Sequence, residues 1–459
     1  MRGSRPLFQK TGRELEQIVQ RNSESAAELR LVLAELGHRA APSARRLADE
    51  VRALITALEP PSTAAPVDRH ITTAVSTPPK DEPALTIQMT AAVADKVGFA
   101  SHQNAVPILR ELEVHHIGEL PYSDLTLHLS SNPPFLSSRT WKIDALAPGT
   151  SIHVTDRDVA LDAAFLGNLG ESMNGTVTLR IEAAGQQLAV AHHSIELLAR
   201  NQWGGVGSMA ELLPAFVMPN DPAVDRILKA ASDVLRRAGK KDAINGYEDK
   251  SRERAWELAS AVWSAICGLR LSYALPPASF EQVGQKVRTP SAILDGGVAT
   301  CLDTSLLFAA ALEQAGLNPL IVLTRGHAFA GLWLQPVEFA ALITDEAAAL
   351  RRRVDVKDLL LFETTLATQA EPPSFSQAEK TALRLIAEDA ADQFEMAIDV
   401  HRARMQKIRP LSVVGVGTPT GTGDSASAVI EAMEAAPQLP AFDVELGEES
   451  DKVTDRILL

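Results

Sequence analysis

The segment Asp295-Gly296-Gly297-Val298-Ala299-Thr300-Cys301-Leu302-Asp303-Thr304, with the apolar run behind it, restricts the fold more than any other part of the chain. It predicts a tight glycine turn, a cap, and a helix that begins on a cysteine. Thr300 suits the N-cap position, and Asp303 stands where a capping box needs its acceptor. From 306 to 312 the side chains are apolar, so the helix has no polar face there and is expected to be buried all round. Gly316 fits a C-terminal cap, and Asn318-Pro319 ends the element. A thiol at the first turn meets the positive end of the helix dipole and the free amides there, which favour thiolate. A thiolate serves as a nucleophile when a base and an orienting group come to meet it.

At 459 residues the chain is long enough for two or three domains. Its 46% apolar and 22% charged residues are ordinary for a globular protein. No apolar run approaches the ~20 residues that span a bilayer, and Met1-Arg2-Gly3-Ser4 does not lead into a signal-peptide core. A cytoplasmic protein without membrane contact is expected. Cys267 and Cys301 cannot build a disulfide framework, and no CxxC pair suggests zinc, so neither a metal nor a cofactor is expected. The formal charge of −14 argues against direct nucleic-acid binding. Residues 411–459 hold nine acids and two bases, a net of −7, and read with their glycines as an acidic flexible tail. Gly415, Gly417, Gly421 and Gly423 superficially suggest a phosphate loop, but no lysine precedes Ser425 and the spacing does not fit.

Residues 1–60 are expected to form a helical hairpin for assembly or recruitment. Leu15, Ile18, Val19, Leu29, Val32, Leu33 and Leu36 mark one apolar stripe, and Leu47, Val51, Leu54, Ile55 and Leu58 a second. Such a hairpin buries its own core poorly, so self-association or pairing with another protein is expected. Residues 61–84, rich in Pro, Thr, Ser and Ala, read as a linker. Over 85–200 the period changes to two, as in Leu125-Thr126-Leu127-His128-Leu129 and Thr176-Val177-Thr178-Leu179-Arg180-Ile181, which suggests an immunoglobulin-like β-sandwich. The pairs His115-His116 and His192-His193 each offer one inward and one outward ring, and read as strand histidines rather than metal ligands.

Residues 201–410 form the last folded domain in this reading. Asn220-Asp221-Pro222 opens a helix to about Arg237, and a second helix ends at Cys267, a small core residue. Strands are expected over 319–324, 327–334 and 359–365, with a polar helical insertion over 338–353 and one long or two broken helices over 374–406. Cys301, His327 and Glu363 then stand in order on helix, strand and strand. A helix packed on an antiparallel sheet brings them together: the imidazole takes the thiol proton and the carboxylate fixes its tautomer. The backbone amide of Cys301 and the Gln285 side chain are the candidate oxyanion donors, with Asp303 as cap and support.

Gly296-Gly297-Val298-Ala299-Thr300-Cys301-Leu302-Asp303, the apolar helix and Gly326-His327-Ala328-Phe329 resemble the transglutaminase-like branch of the papain-like thiol fold. The resemblance implies Cys301 as nucleophile, His327 as base and Glu363, in Phe362-Glu363-Thr364-Thr365, as the acid. Glu replaces the family's Asp, and Phe329 its Trp. A wider resemblance rests on Asn201-Gln202-Trp203-Gly204-Gly205, Phe216-Val217-Met218-Pro219-Asn220-Asp221-Pro222 and Gly284-Gln285-Lys286-Val287-Arg288-Thr289-Pro290. These are similar to the N-terminal region of large bacterial superfamily-1 helicase and nuclease proteins, which implies antiphage defence and a helicase, nuclease or defence-system partner. No motor motif is present, and Asp455-Arg456-Ile457-Leu458-Leu459 stands about where the next module would begin, so the chain reads as a stand-alone or a truncated version.

The expected architecture is therefore α+β: helical hairpin, immunoglobulin-like sandwich, and a transglutaminase-like cysteine-protease fold of helices packed on an antiparallel sheet. The expected function is a cysteine hydrolase, protease or amidase, acting on a protein substrate through an acyl-thioester. Two alternatives stay open: a non-catalytic scaffold or protein-binding module, and a transamidase.

Overall fold

The computed structural model describes residues 86–412 and 433–442, together with 15, 19, 26–36, 47, 48, 51, 52, 54 and 55. The expected linker over 61–84, the glycines over 415–423 and the rest of the tail lie outside the described residues. The chain divides into two compact units, Met1–Arg200 and Asn201–Leu459. It is α+β, with helices and several antiparallel sheets.

In the first unit, the described apolar positions of the N-terminal segment bury against one another. Leu15, Val19, Leu29, Val32, Leu36, Leu47 and Val51 share one cluster. Eight strands follow: β1 (Ile87–Val93), β2 (Lys96–Val97), β3 (Leu109–His116), β4 (Tyr122–Asn132), β5 (Arg139–Leu146), β6 (Ser151–His153), β7 (Met173–Ala183) and β8 (Gln186–Leu197). They form two sheets, ordered β1-β3-β6 and β2-β8-β7-β4-β5. All neighbours are antiparallel except β2 and β8, which run parallel. The period-two signal is the cause: Leu125, Leu127 and Leu129 of β4 and Val177, Leu179 and Ile181 of β7 enter one core shared by both sheets. His115 faces outward to Ser151 at 2.9 Å, whereas His116 is buried against Tyr122.

The second unit centres on a five-stranded antiparallel sheet. Its strands are β13 (Pro319–Thr324), β14 (His327–Trp333), β15 (Ile343–Thr344), β16 (Leu359–Phe362) and β17 (Phe394–Asp399), in the order β15-β17-β13-β14-β16. Four two-residue strands precede them: β9 (Gln202–Trp203), β10 (Ser272–Tyr273), β11 (Gln285–Lys286) and β12 (Val298–Ala299). The main helices are α1 (Pro222–Arg237), α2 (Arg252–Cys267), α3 (Cys301–Gln314), α4 (Ala347–Asp355) and α5 (Phe375–Leu385). Asp221 caps α1 with proline at its first turn, and Ser251 caps α2. α3 starts on Cys301, is capped by Thr300 with Asp303 completing the box, and is buried without a break from Cys301 to Leu312. Phe308 of α3 joins Trp263 of α2, Phe362 of β16 and Phe375 of α5 in one aromatic cluster, with ring centroids 5.2–6.3 Å apart. The elements that carry Cys301 and Glu363 are thus fixed to the same rings.

Three expectations change here. The stretch 374–406 is neither one helix nor two broken ones, because β17 lies within it and pairs with β13. The polar insertion over 338–353 is helical only from Ala347, and Ile343–Thr344 adds an edge strand instead. The tail is not free throughout: Glu434 accepts from the Ser376 amide at 3.1 Å, and Phe442 packs on Tyr247. Among the described residues no helix is long and apolar enough to cross a membrane.

Candidate active site

Local sequence explains how each side chain arrives. β13 and β14 form a hairpin in which Thr324 faces His327, with Gly326 at φ +66° in the turn. The imidazole therefore stands at the very start of β14. β16 pairs with the far part of β14, Phe362 opposite Ala330, and Glu363 follows directly. His327 Nε2 lies 2.7 Å from Glu363 Oε2. The other carboxylate oxygen of Glu363 accepts from the Thr365 amide at 2.9 Å and the Thr365 hydroxyl at 2.7 Å. Glu363 is almost fully buried, so its two oxygens are held by three donors.

Cys301 hydrogen-bonds the same imidazole. Burial pulls the His327 pKa down, but the bonds to Cys301 and Glu363 and the charge of Glu363 outweigh it and raise it to about 10. His327 therefore keeps its proton through the neutral range. The Cys301 carbonyl accepts from Thr304 and Ser305, at 2.9 and 2.7 Å, and both hydroxyls also meet Thr364 Oγ1. This buried hydroxyl cluster ties the first turn of α3 to the residue after Glu363, which sets the distance between thiol and acid.

Asp303 is fully buried and does not join the imidazole. It accepts from the Arg288 amide at 2.8 Å, the Arg288 guanidinium at 2.7 Å and the Thr300 amide at 3.0 Å, so it fastens the preceding loop to the helix start. Gln285 lies on β11, opposite Trp203 of β9, and donates its amide to Thr300 Oγ1 at 3.0 Å. One of its two amide hydrogens is thereby committed to the cap beside Cys301, and its Oε1 meets no partner among the described residues.

Sequence reasoning missed Tyr273. Its strand β10 pairs in parallel with β12, Tyr273 beside Ala299, two residues before the cysteine. Its phenol hydrogen-bonds Cys301; burial first, then the charges and bonding of Cys301 and Glu363, push its pKa upward. Tyr273 is 41% exposed while Cys301 has no exposed surface, so the phenol is the outward face of the thiol site. A two-residue strand leaves no periodicity to find. The one signal was the aromatic and proline pattern of Tyr273-Ala274-Leu275-Pro276-Pro277 ahead of the cysteine. Cys267, by contrast, lies apart from this constellation, its thiol pushed up to about 12 by burial.

Among the described residues no group of His, Cys, Asp and Glu is arranged to hold a metal ion. Scanned against known protein families the chain matches none, and no curated protein is significantly similar to it.

Proposed function

We propose that the chain is a cysteine hydrolase that cleaves an amide in a protein substrate through an acyl-thioester. The observation that carries this reading is His327 paired with Glu363 at 2.7 Å and also bonded to Cys301. In the proposed reaction the thiol proton of Cys301 has passed to His327, Cys301 Sγ attacks the amide carbonyl carbon, and the carbonyl electron pair moves to oxygen. His327 delivers its proton to the leaving nitrogen, the C–N bond breaks, and a thioester remains. Water then attacks the thioester with His327 as base, and the C–S bond breaks. Glu363 orients the ring and offsets its charge throughout. The Cys301 amide, at the first turn of α3, and the Tyr273 phenol serve as donors to the developing oxyanion in this proposal.

The transglutaminase-like arrangement is part of this proposal, supported by the order helix, strand, strand for Cys301, His327 and Glu363. So is the immunoglobulin-like reading of 85–200. It is supported by an edge strand, β2, parallel to the last strand, β8, in a sheet that continues through β7, β4 and β5. A defence setting with a helicase or nuclease partner rests on the wider sequence resemblance alone.

A second reading, a non-catalytic binding scaffold, is favoured by the complete burial of Cys301 under Tyr273. A peptide-based thiol electrophile separates the two, with the modified residue mapped by mass spectrometry. The hydrolase reading expects modification of Cys301 at neutral pH, none in Cys301→Ala, and a rate roughly 100-fold lower in His327→Ala. Modification that survives Cys301→Ala, or an inert wild-type protein, supports the scaffold instead.

A further inference from the structure

Helix α5 begins without a cap of its own. Ser374 occupies the N-cap position, yet its side chain makes no bond to the helix amides. The missing acceptor comes from the distant segment 433–442. Glu434 accepts from the Ser376 amide at 3.1 Å and from the hydroxyls of Ser374 and Ser376. Eight residues on, the Phe442 ring packs edge-on against Tyr247 at 6.3 Å, and Tyr247 is itself anchored to the Trp333 carbonyl and the Asn318 amide. The stretch between carries Pro437 and Pro440 and forms neither helix nor strand. This piece of chain is therefore tied by Glu434 to the start of α5 and by Phe442 to Tyr247.

Beneath the Glu434 end lies a second carboxyl. Glu379, one turn into α5, accepts from the Trp256 indole at 2.5 Å. Burial first, and then the negative charge of Glu434, raise its pKa to about 7 against the opposing Trp256 bond and the charges of Lys357 and Lys380. Burial also acts on Glu434, but the bonds from Ser374 and Ser376 together with Lys380 outweigh it and hold that carboxyl below the usual range. Of the two facing acids, Glu379 takes the proton and Glu434 keeps its charge.

We propose that residues 433–442 are a detachable strap, latched by Glu434 at the start of α5 and released when Glu379 ionises. Docking raises Glu379 above its undocked value. Docking strength is therefore fully present below the undocked value and lost as pH rises through about 7. Release uncaps α5, whose Ala378 carbonyl accepts the Glu363 amide at 3.1 Å. The consequence for Glu363 as an orienting acid rests on the proposed hydrolase; docking and its release do not.

Hydrogen exchange of the full-length chain, followed across about pH 5.5 to 8.5 and corrected for intrinsic rates, tests the strap without reference to activity. The Ser376 amide should be protected at the acid end, lose that protection by up to about tenfold per pH unit as pH rises to about 7, and level off above it. Glu379→Gln keeps the Trp256 acceptor and should hold the protection level across the range. Glu434→Ala should abolish it at every pH. A Ser376 amide that exchanges at unprotected rates at acid pH overturns the docking. Protection that is independent of pH in the wild type, or lost equally in Glu379→Gln, overturns the release.

Discussion

His327 sits where burial strips charge from an imidazole and two partners restore it, and the partners win. Glu363→Gln keeps the shape and an acceptor oxygen but removes the negative charge. The His327 pKa should then fall from about 10 toward its ordinary range, read from the ring proton shifts in a pH titration. An unchanged titration would mean that Glu363 does not govern the ring. At this scale the sequence carried the three side chains that the structure brings together, because each sits at an element boundary with a local signal: the Thr300 cap, the Gly326 turn and the end of an apolar strand. It did not carry Tyr273, Thr304, Ser305, Thr364 or Thr365. Hydroxyls that matter through one buried contact look like any others in a sequence, and Thr304 and Ser305 meet Thr364 about 60 residues away. Gln285 is the expected side-chain oxyanion donor, and one of its two amide hydrogens is taken by Thr300 Oγ1.

Among the elements, α3 and β16 keep their relation through rings rather than through polar contacts alone. Phe308→Ala empties a fully buried place between Trp263 and Phe362, and should cost about 3–5 kcal/mol, seen as a lowered midpoint in thermal or denaturant unfolding. Gly331→Ala tests the pairing of β14 with β16 directly. A β-carbon there would lie 2.6 Å from Leu361 Cδ2 and 3.1 Å from the Leu360 carbonyl, so the strands must part or Leu361 must move. A loss of about 1–3 kcal/mol is expected, with weaker His327–Glu363 coupling in the same titration. Wild-type stability in that variant would show that the sheet yields there at no cost. The same scale explains the misread stretch 374–406. Phe394, Met396 and Ile398 alternate with Glu395, Ala397 and Asp399, but helix-forming Ala and Glu surround them. Pairing with β13 overrides the local preference, and that pairing joins residues too far apart for a local pattern to record.

In the molecule as a whole, the two groups raised furthest into the accessible pH range both weaken the fold as pH rises. Glu379, at about 7 against an ordinary 4.5, contributes stability that is complete below its unfolded value and lost as pH rises through about 7. His327, at about 10 against 6.5, contributes stability that is complete below 6.5 and lost as pH rises through about 10. Denaturant unfolding followed by tryptophan emission should resolve this, since Trp203, Trp256, Trp263 and Trp333 lie in the Asn201–Leu459 unit and only Trp141 lies in the other. Stability should decline in two overlapping stages, from about pH 4.5 to about 7 and from about 6.5 to about 10. The net charge of −14 grows more negative over the same range and adds a repulsion of its own. That term is nearly common to wild type and single variants, so the difference between their curves isolates each group. Glu379→Gln should remove the lower stage and leave the upper, whereas Glu363→Gln should shrink the upper and leave the lower. If the Glu379→Gln difference curve is flat between about pH 4.5 and 7, Glu379 does not change its ionisation on folding and the strap loses its trigger. If the Glu363→Gln curve is flat above that range, the pairing that defines the candidate site contributes nothing to the fold that presents it.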